Sequence, residues 1–405
     1  MSKTKKIRVL RIINRFNLGG PTFNVSYLTK HLDDRFETKL LGGEKDESEA
    51  SSMFILDEMN IKPHIISQMK REVSLMADLR AYQEIVQVIK EFKPHIVHTH
   101  ASKSGALGRL AAIHQNVPVV LHTFHGHVFH SYFGALKTNL YKVIERYLAR
   151  KSTRIIAISN TQKQELGRDH AIAPLSKIEV VPLGFDLSKF HQNQAEKRRL
   201  FRDRYKLRDN DVAIGIIGRL VPIKNHQMFL NAVNPIYKKY PNARFFVVGD
   251  GELTDELKTF CDMEGIPFES VAPPSSSKPL CFTSWIKEID EVMAGLDIIT
   301  LTSLNEGTPV SLIEAQSAGK PIVSTRVGGV EDIVMEGESA LLCDKFDQSS
   351  FIHQLDRLVV SQKLRIKMGE VGREHVRSKF SYNRLVDDIQ SLYLRLLQER
   401  NILLD

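Results

Sequence analysis

The feature that most constrains the fold is an alternation of two periods. Short apolar, β-branched runs recur along the chain, and stretches with helical spacing separate them. In the first half, strands are expected at 8–14, 95–99, 117–123, 154–159 and 178–181. Helices are expected there at 22–32, 77–92, 104–115, 136–150 and 161–169. In the second half, strands are expected at 212–217, 244–248, 297–301, 321–324 and 340–343. Its helices are expected at 225–240, 254–264, 289–294, 309–318 and 349–360. Strands that are apolar throughout and joined by helices build a parallel sheet covered on both faces. The chain therefore reads as α/β, with two Rossmann-like domains in series. Its 405 residues suffice for two cores. The joint falls near 182–191, where a turn signal precedes a polar, helix-poor stretch.

Composition removes several classes. No run of 18 apolar residues exists, so no helix is expected to span a bilayer. Met1 to Lys6 is basic, but the apolar run after it is too short and too interrupted by Arg for a signal peptide. Cys261, Cys281 and Cys343 lack metal-type spacing and read as reduced thiols of a cytoplasmic protein. The net charge is +8. No basic stretch with interleaved aromatics and no recognition-helix pattern accompanies it, which argues against a nucleic-acid partner. The cations gather at 137–154 and 197–208, as a solvated face or a contact with anionic lipid.

The chemistry concentrates at strand ends. Glu306-Gly307-Thr308-Pro309-Val310 leads to Glu314, so two carboxylates stand eight residues apart across a helix start. Thr308 suits the N-cap and Pro309 the first helical position. The free amides of that first turn attract phosphate, and carboxylates accept from sugar hydroxyls. Arg219 and Lys224 flank the turn after the strand 212–217, where two cations can neutralise a diphosphate. Gly19-Gly20 follows the first strand and permits close backbone approach, but it is not Gly-x-Gly-x-x-Gly, which disfavours a dinucleotide oxidoreductase. His122, His125, His127 and His130 invite a metal reading, yet no Cys or carboxylate completes a ligand set.

Taken in order, these segments resemble the retaining glycosyltransferases of family 4, with the GT-B fold. Gly218 to Asn225 is similar to that family's phosphate-binding loop, and Val247 to Gly251 to the turn downstream of it. Val181 to Asp186 is similar to the interdomain hinge. Gly19-Gly20, His98-Thr99-His100 with Gly105 to Arg109, and Ile158-Ser159 are the N-terminal counterparts. The resemblance runs from about residue 10 to about residue 390. It implies an interdomain cleft and a last helix that crosses back to the N-terminal domain. The expected division is thus 1–187 with 381–405 for the acceptor, and 188–380 for the donor.

The resemblance also implies roles. Arg219, Lys224, Glu306 and His125 would be catalytic. Gly19, Gly20, Gly218, Gly307, Thr308, Pro309, Val310 and Glu314 would join Arg219, Lys224 and Glu306 around the donor, with Glu314 on the ribose. Lys103, His127 and His130 would shape the acceptor site. The family pattern departs at Pro21-Thr22-Phe23-Asn24, where a small residue and an acid or Arg are usual.

The implied activity is retaining transfer of a sugar from a nucleotide diphosphate sugar to a hydroxyl of a saccharide or lipid-linked saccharide, in surface polysaccharide or glycolipid assembly. No metal or other cofactor is expected. A cytoplasmic location with peripheral contact at the inner face of the cell membrane would suit a lipid-linked acceptor. An inactive nucleotide-sugar-binding protein and a nucleotide-sugar 2-epimerase are the alternatives.

Overall fold

The computed structural model describes residues 6–17, 20–46, 51–70, 72–126, 135–270 and 278–402. It divides into two compact units, Met1–Phe185 with Phe380–Asp405, and Asp186–Lys379.

In the first unit seven strands are parallel throughout: β1 (Ile7–Arg15), β2 (Phe36–Gly43), β3 (His64–Ile65), β4 (Ile96–His100), β5 (Val119–Phe124), β6 (Arg154–Ala157) and β7 (Ile178–Val180). Their order is β3-β2-β1-β4-β5-β6-β7. The second unit repeats the plan with β8 (Val212–Ile217), β9 (Ala243–Val248), β10 (Phe268–Glu269), β11 (Leu280–Ser284), β12 (Ile298–Leu301), β13 (Ile322–Thr325) and β14 (Ala340–Cys343). Its order is β10-β11-β9-β8-β12-β13-β14. In each sheet the chain reverses its direction of travel beside the first strand, between β1 and β4 and between β8 and β12. Loops diverge at the carboxyl ends of those strands, which is where open α/β sheets bind ligands.

Burial follows from the strand composition. Every residue of β8, β9, β12, β13 and β14 is buried, as both-face coverage requires. The helix Tyr382–Glu399 presents Leu385, Ile389, Leu392, Leu396 and Leu397 to a cluster with Ile7, Val9, Ile96 and Leu121 of the first sheet. That unit is therefore built from both ends of the chain.

Two expectations are corrected. The predicted helix at 225–240 is broken into His226–Leu230 and Val233–Lys239. Pro235 has no N–H for a continuous helix and sits instead in the first turn of the second piece. Thr308 is not the N-cap: Pro309 occupies that position, at φ −71° and ψ 97°, and the helix is Val310–Ser317. The extended ψ of Pro309 keeps it out of the helix, so the first helical residue is Val310 and the cap moves one position on from Thr308.

Candidate active site

In the second unit four strand-end loops brace one another. Gly218 to Asn225 follows β8. On its β9 side, Leu220 N donates to Asp250 O at 2.9 Å. Gly249 is held at φ +145°, and a Cβ there would stand 1.9 Å from Gly218 O, so only glycine fits. On the β12 side, buried Thr302 donates its hydroxyl to the carbonyls of Lys224 (3.1 Å) and Asn225 (2.9 Å). Leu304 N donates to Ile223 O at 2.8 Å. The loop after β13 closes the set: Gly329 N donates to Glu306 O at 3.1 Å, and a Cβ on Gly328 would lie 1.9 Å from that same oxygen.

This frame joins two residues 82 positions apart. Lys224 Nζ pairs with Glu306 Oε1 at 2.6 Å, and Ser303 donates its hydroxyl to the same oxygen at 2.6 Å. Arg219 is exposed and has no ion-pair partner among the described residues. Gly307 is exposed, and Thr308 and Val310 are half-buried. Glu314 is half-buried on the first turns of the 310–317 helix. Burial pushes its carboxyl up to about 7, with Asp290 adding to the shift and Lys189 opposing it. His226 is buried beside this loop. Burial and then the Lys224 charge pull its imidazole down to about 4, and neither ring nitrogen has a partner among the described residues.

The first unit assembles histidines. Arg11 Nη1 donates to Tyr393 Oη at 2.8 Å, so the phenol's own hydrogen is free for His98 Nδ1, 2.6 Å away. His98 Nε2 must then carry the proton that it gives to Thr123 Oγ1 at 2.7 Å. His100 lies against His98, ring centroids 4.2 Å apart, and its Nδ1 is 2.9 Å from His125 Nε2. One of those two nitrogens bears hydrogen. The outer nitrogens, His100 Nε2 and His125 Nδ1, are buried with no partner among the described residues, so they hold complementary roles, one donor and one acceptor. Burial keeps the histidines neutral. It holds His98, His100 and His122 well below the usual imidazole range and pulls His125 down to about 4. Ala101, directly after His100, sits at φ 66° and ψ 167°. Non-glycine residues avoid that region at a cost of about 1–3 kcal/mol, and such strain gathers at functional sites.

Other expected residues take plainer places. Gly20 opens the helix Gly20–Lys30, while Gly19, His127 and His130 lie outside the described residues. Lys103 Nζ is engaged by Asp78 at 2.5 Å and by the carbonyls of Lys70 and Glu72. Gly105 and Gly108 let the 102–114 helix approach the sheet: a Cβ would meet His122 at 2.4 Å or Thr99 at 2.7 Å. Arg109 forms a buried pair with Glu145 at 2.7 Å. Asn24, the departure from the glycine-loop pattern, accepts from Gly184 N at 3.0 Å and donates to Gly184 O at 3.2 Å, tying the first helix to the 181–186 turn. Sequence reasoning missed Ser303, His226, Tyr393 and Gly328-Gly329. The glycine pair carried the same signal as Gly19-Gly20, a doublet after a predicted strand.

Comparison with known proteins decides the family. A chain from Escherichia coli, "UDP-Gal:alpha-D-GlcNAc-diphosphoundecaprenol alpha-1,3-galactosyltransferase", is 32% identical over 83% of this chain and 84% of its own length. This chain belongs to the family 4 glycosyltransferases. The family description "Glycosyltransferase Family 4" matches residues 18–189, and "Glycosyl transferases group 1" matches 211–361. The Staphylococcus aureus capsular polysaccharide biosynthesis glycosyltransferase CapM is 27% identical over 83% of this chain and 86% of its own. Among solved structures, Anabaena HepE in complex with UDP superposes with TM-score 0.80 at 17% identity, covering 96% of this chain and all of that one. The fold is thus GT-B, and this glycosyltransferase is a hexosyltransferase of a retaining family whose named relatives serve bacterial polysaccharide and glycolipid synthesis.

Proposed function

We propose that this glycosyltransferase moves a hexose from a uridine diphosphate sugar to a hydroxyl of a polyprenyl-diphosphate-linked saccharide, without a metal. The observation that carries the reading is the Lys224–Glu306 pair on the loop that also carries exposed Arg219. A diphosphate arriving at this loop competes for Lys224 and meets Arg219, so Lys224 exchanges its internal counter-ion for the ligand. Glu306, released on one oxygen and still oriented by Ser303, then accepts from the sugar's hydroxyls. As the glycosidic bond to phosphate breaks, both cations stabilise the charge left on the nucleotide. Glu314, ionised, takes the two ribose hydroxyls, and the amides at Gly307 to Val310 hold phosphate or sugar. In the first unit, the loops that carry His125 receive the acceptor.

The uridine choice rests on the galactosyltransferase relative and on HepE, whose names specify UDP-Gal and UDP. The lipid-linked acceptor rests on the same relative's diphosphoundecaprenol substrate. No described helix is long and apolar enough to cross a membrane, so an enzyme acting on such an acceptor would meet it peripherally.

Incubation with UDP-galactose, UDP-glucose and UDP-N-acetylhexosamines, plus a synthetic polyprenyl-diphosphate N-acetylglucosamine, tests the proposal by chromatography of the product. One UDP-sugar should give an α-linked product in excess chelator. Transfer from a guanosine donor alone would overturn the uridine assignment. Activity lost in chelator and restored by a divalent ion would overturn the metal-free scheme.

A further inference from the structure

We infer that the helix Ala135–Lys151 is a membrane-docking element whose outer apolar stripe enters an anionic lipid surface. This deepens the proposed function by naming the surface that would bring the enzyme to a lipid-linked acceptor. Leu140, Val143, Ile144 and Tyr147 recur at i, i+3, i+4 and i+7, so they share one helix face. They are 41–62% exposed, unusual for four consecutive members of an apolar stripe. The opposite face does the packing: Leu148 and Ala149 are buried, and Glu145 is consumed by Arg109. Leu148 therefore belongs to the core.

The charge pattern selects the occupant. Glu145 is the helix's sole acid and is fully buried, so its outer face carries no negative charge. Arg146, Arg150 and Lys151 are exposed toward its end. Arg146, Arg150 and Lys177 border a hollow of about 430 Å³ floored by Ile172, Ala173 and Pro174. Cations beside an exposed apolar stripe fit phosphate headgroups next to acyl chains. A symmetric dimer through this face would instead bring like charges together. Arg154, counted by sequence among the basic face, is held by Glu179 and Glu399 and takes no part.

A second patch shares the layer. Val73, Leu75, Met76 and Leu79, at the start of the helix Leu75–Phe92, are 52–88% exposed. The 75–92, 102–114 and 135–151 helices pack side by side in that order. Each follows a strand of one parallel sheet, so all three begin at the carboxyl ends of the strands, where His100 and His125 lie. Neighbouring helix axes stand about 10 Å apart, which separates the two patches by roughly 20 Å. A bilayer touching both would lie along the edge nearest those histidines.

Co-sedimentation of the full chain with vesicles of phosphatidylglycerol and phosphatidylcholine tests this. The unaltered protein should bind the mixed vesicles, and part of that binding should survive high salt because the stripe is apolar. Val143→Asp with Ile144→Asp should lower the partition coefficient at least roughly tenfold, since it removes the buried apolar contribution. Arg150→Glu with Lys151→Glu should lower binding at low salt only. Both variants should keep their thermal transition and transfer to a short-chain, water-soluble acceptor, which separates failed docking from a wrong reaction. Equal binding by the Val143/Ile144 variant would overturn the assignment. So would a dimer in sedimentation that this variant dissolves without any lipid binding by the parent.

Discussion

The two sheets share a plan of seven parallel strands with a reversal beside the first, yet their carboxyl-end loops use opposite chemistry. The second unit places charge there: a free guanidinium, a lysine–glutamate pair and a carboxylate pushed up to about 7. Glycines at 249 and 328 make the loops, and backbone oxygens stand where a side chain would go. The first unit places neutral rings there, tilted against one another, hydrogen-bonded and shielded from protons by burial. One architecture thus supports an ionic cradle and a neutral pocket, because the loops rather than the sheet set the electrostatics. In the proposed function, a diphosphate with its developing charge would sit at the ionic cradle and an uncharged hydroxyl acceptor at the neutral rings.

The sharpest way to break that contrast is to remove charge. Lys224→Ala and Arg219→Ala should each lower turnover by about two to three orders of magnitude, the range for loss of one preorganised charge-stabilising group. His100→Asn should cost less, because it disturbs the orientation of His125 without removing a charge. Steady-state kinetics against a saturating donor check both. Equal losses would mean that the histidines carry as much of the reaction as the cations.

Within the ionic cradle the two glutamates should separate. Glu314→Ala should weaken UDP binding by roughly tenfold or more, the scale for losing a charge-assisted hydrogen-bonding group. Glu306→Ala should not weaken UDP binding, because it frees Lys224 from its internal counter-ion, and should damage transfer. Calorimetry with UDP alone decides, and equal affinity losses would remove the division of roles.

Tyr393→Phe probes the neutral side. It leaves Arg11 Nη1 and His98 Nδ1 without their shared partner inside the core. The expected loss of stability is about 2 kcal/mol, since one of the stranded groups is charged. Chemical denaturation followed by circular dichroism measures it.

Proton linkage should run in opposite senses in the two units. The unfolded chain protonates its histidines below about 6.5, whereas folded His125 resists until about 4. Stability of the first unit therefore falls as pH drops through that window. Glu314 binds its proton more tightly when folded. Its contribution is present at acid pH and is lost as pH rises from about 4.5 to about 7. Hydrogen exchange read by mass spectrometry at stepped pH should show β4 and β5 opening first in acid. UDP affinity should rise with pH through about 7, and Glu314→Gln should flatten that rise. The smallest effect is Ala101→Gly, which relieves the strained φ and should raise stability by about 1 kcal/mol. A loss instead would mean that the strain is absent in solution.

Much of this layout was legible in the residues. Strands such as β8 and β14 stand out because they are apolar throughout. The strand β2 did not, because in Phe36–Gly43 the polar run Glu37, Thr38 and Lys39 follows a single buried Phe36 and the strand ends on two glycines, so neither period shows. The strand β11 was hidden behind the Pro/Ser stretch before it, and β3 and β10 have only two residues each. In the site, residue types at strand ends were readable, but their partners were not. Nothing local links Lys224 to Glu306, Asn24 to Gly184, or His98 to Tyr393, since each pair is made by tertiary packing between segments far apart in sequence. The glycines and arginine of 105–109, read by resemblance as a site counterpart, are packing devices against His122, Thr99 and Glu145.

The 382–399 helix imposes a schedule on synthesis. The segment Asp186–Lys379 is continuous and can close its core as soon as it clears the ribosome, whereas the earlier segment must wait. Until Leu385 to Leu397 emerge, one face of the first sheet, including Ile7, Val9 and Ile96, stays uncovered. Tyr393 arrives in the same late segment, 295 residues after the histidine it fixes. The unit that begins first is therefore completed only after the second unit has been made, and its histidine cluster takes its final form once Tyr393 has emerged.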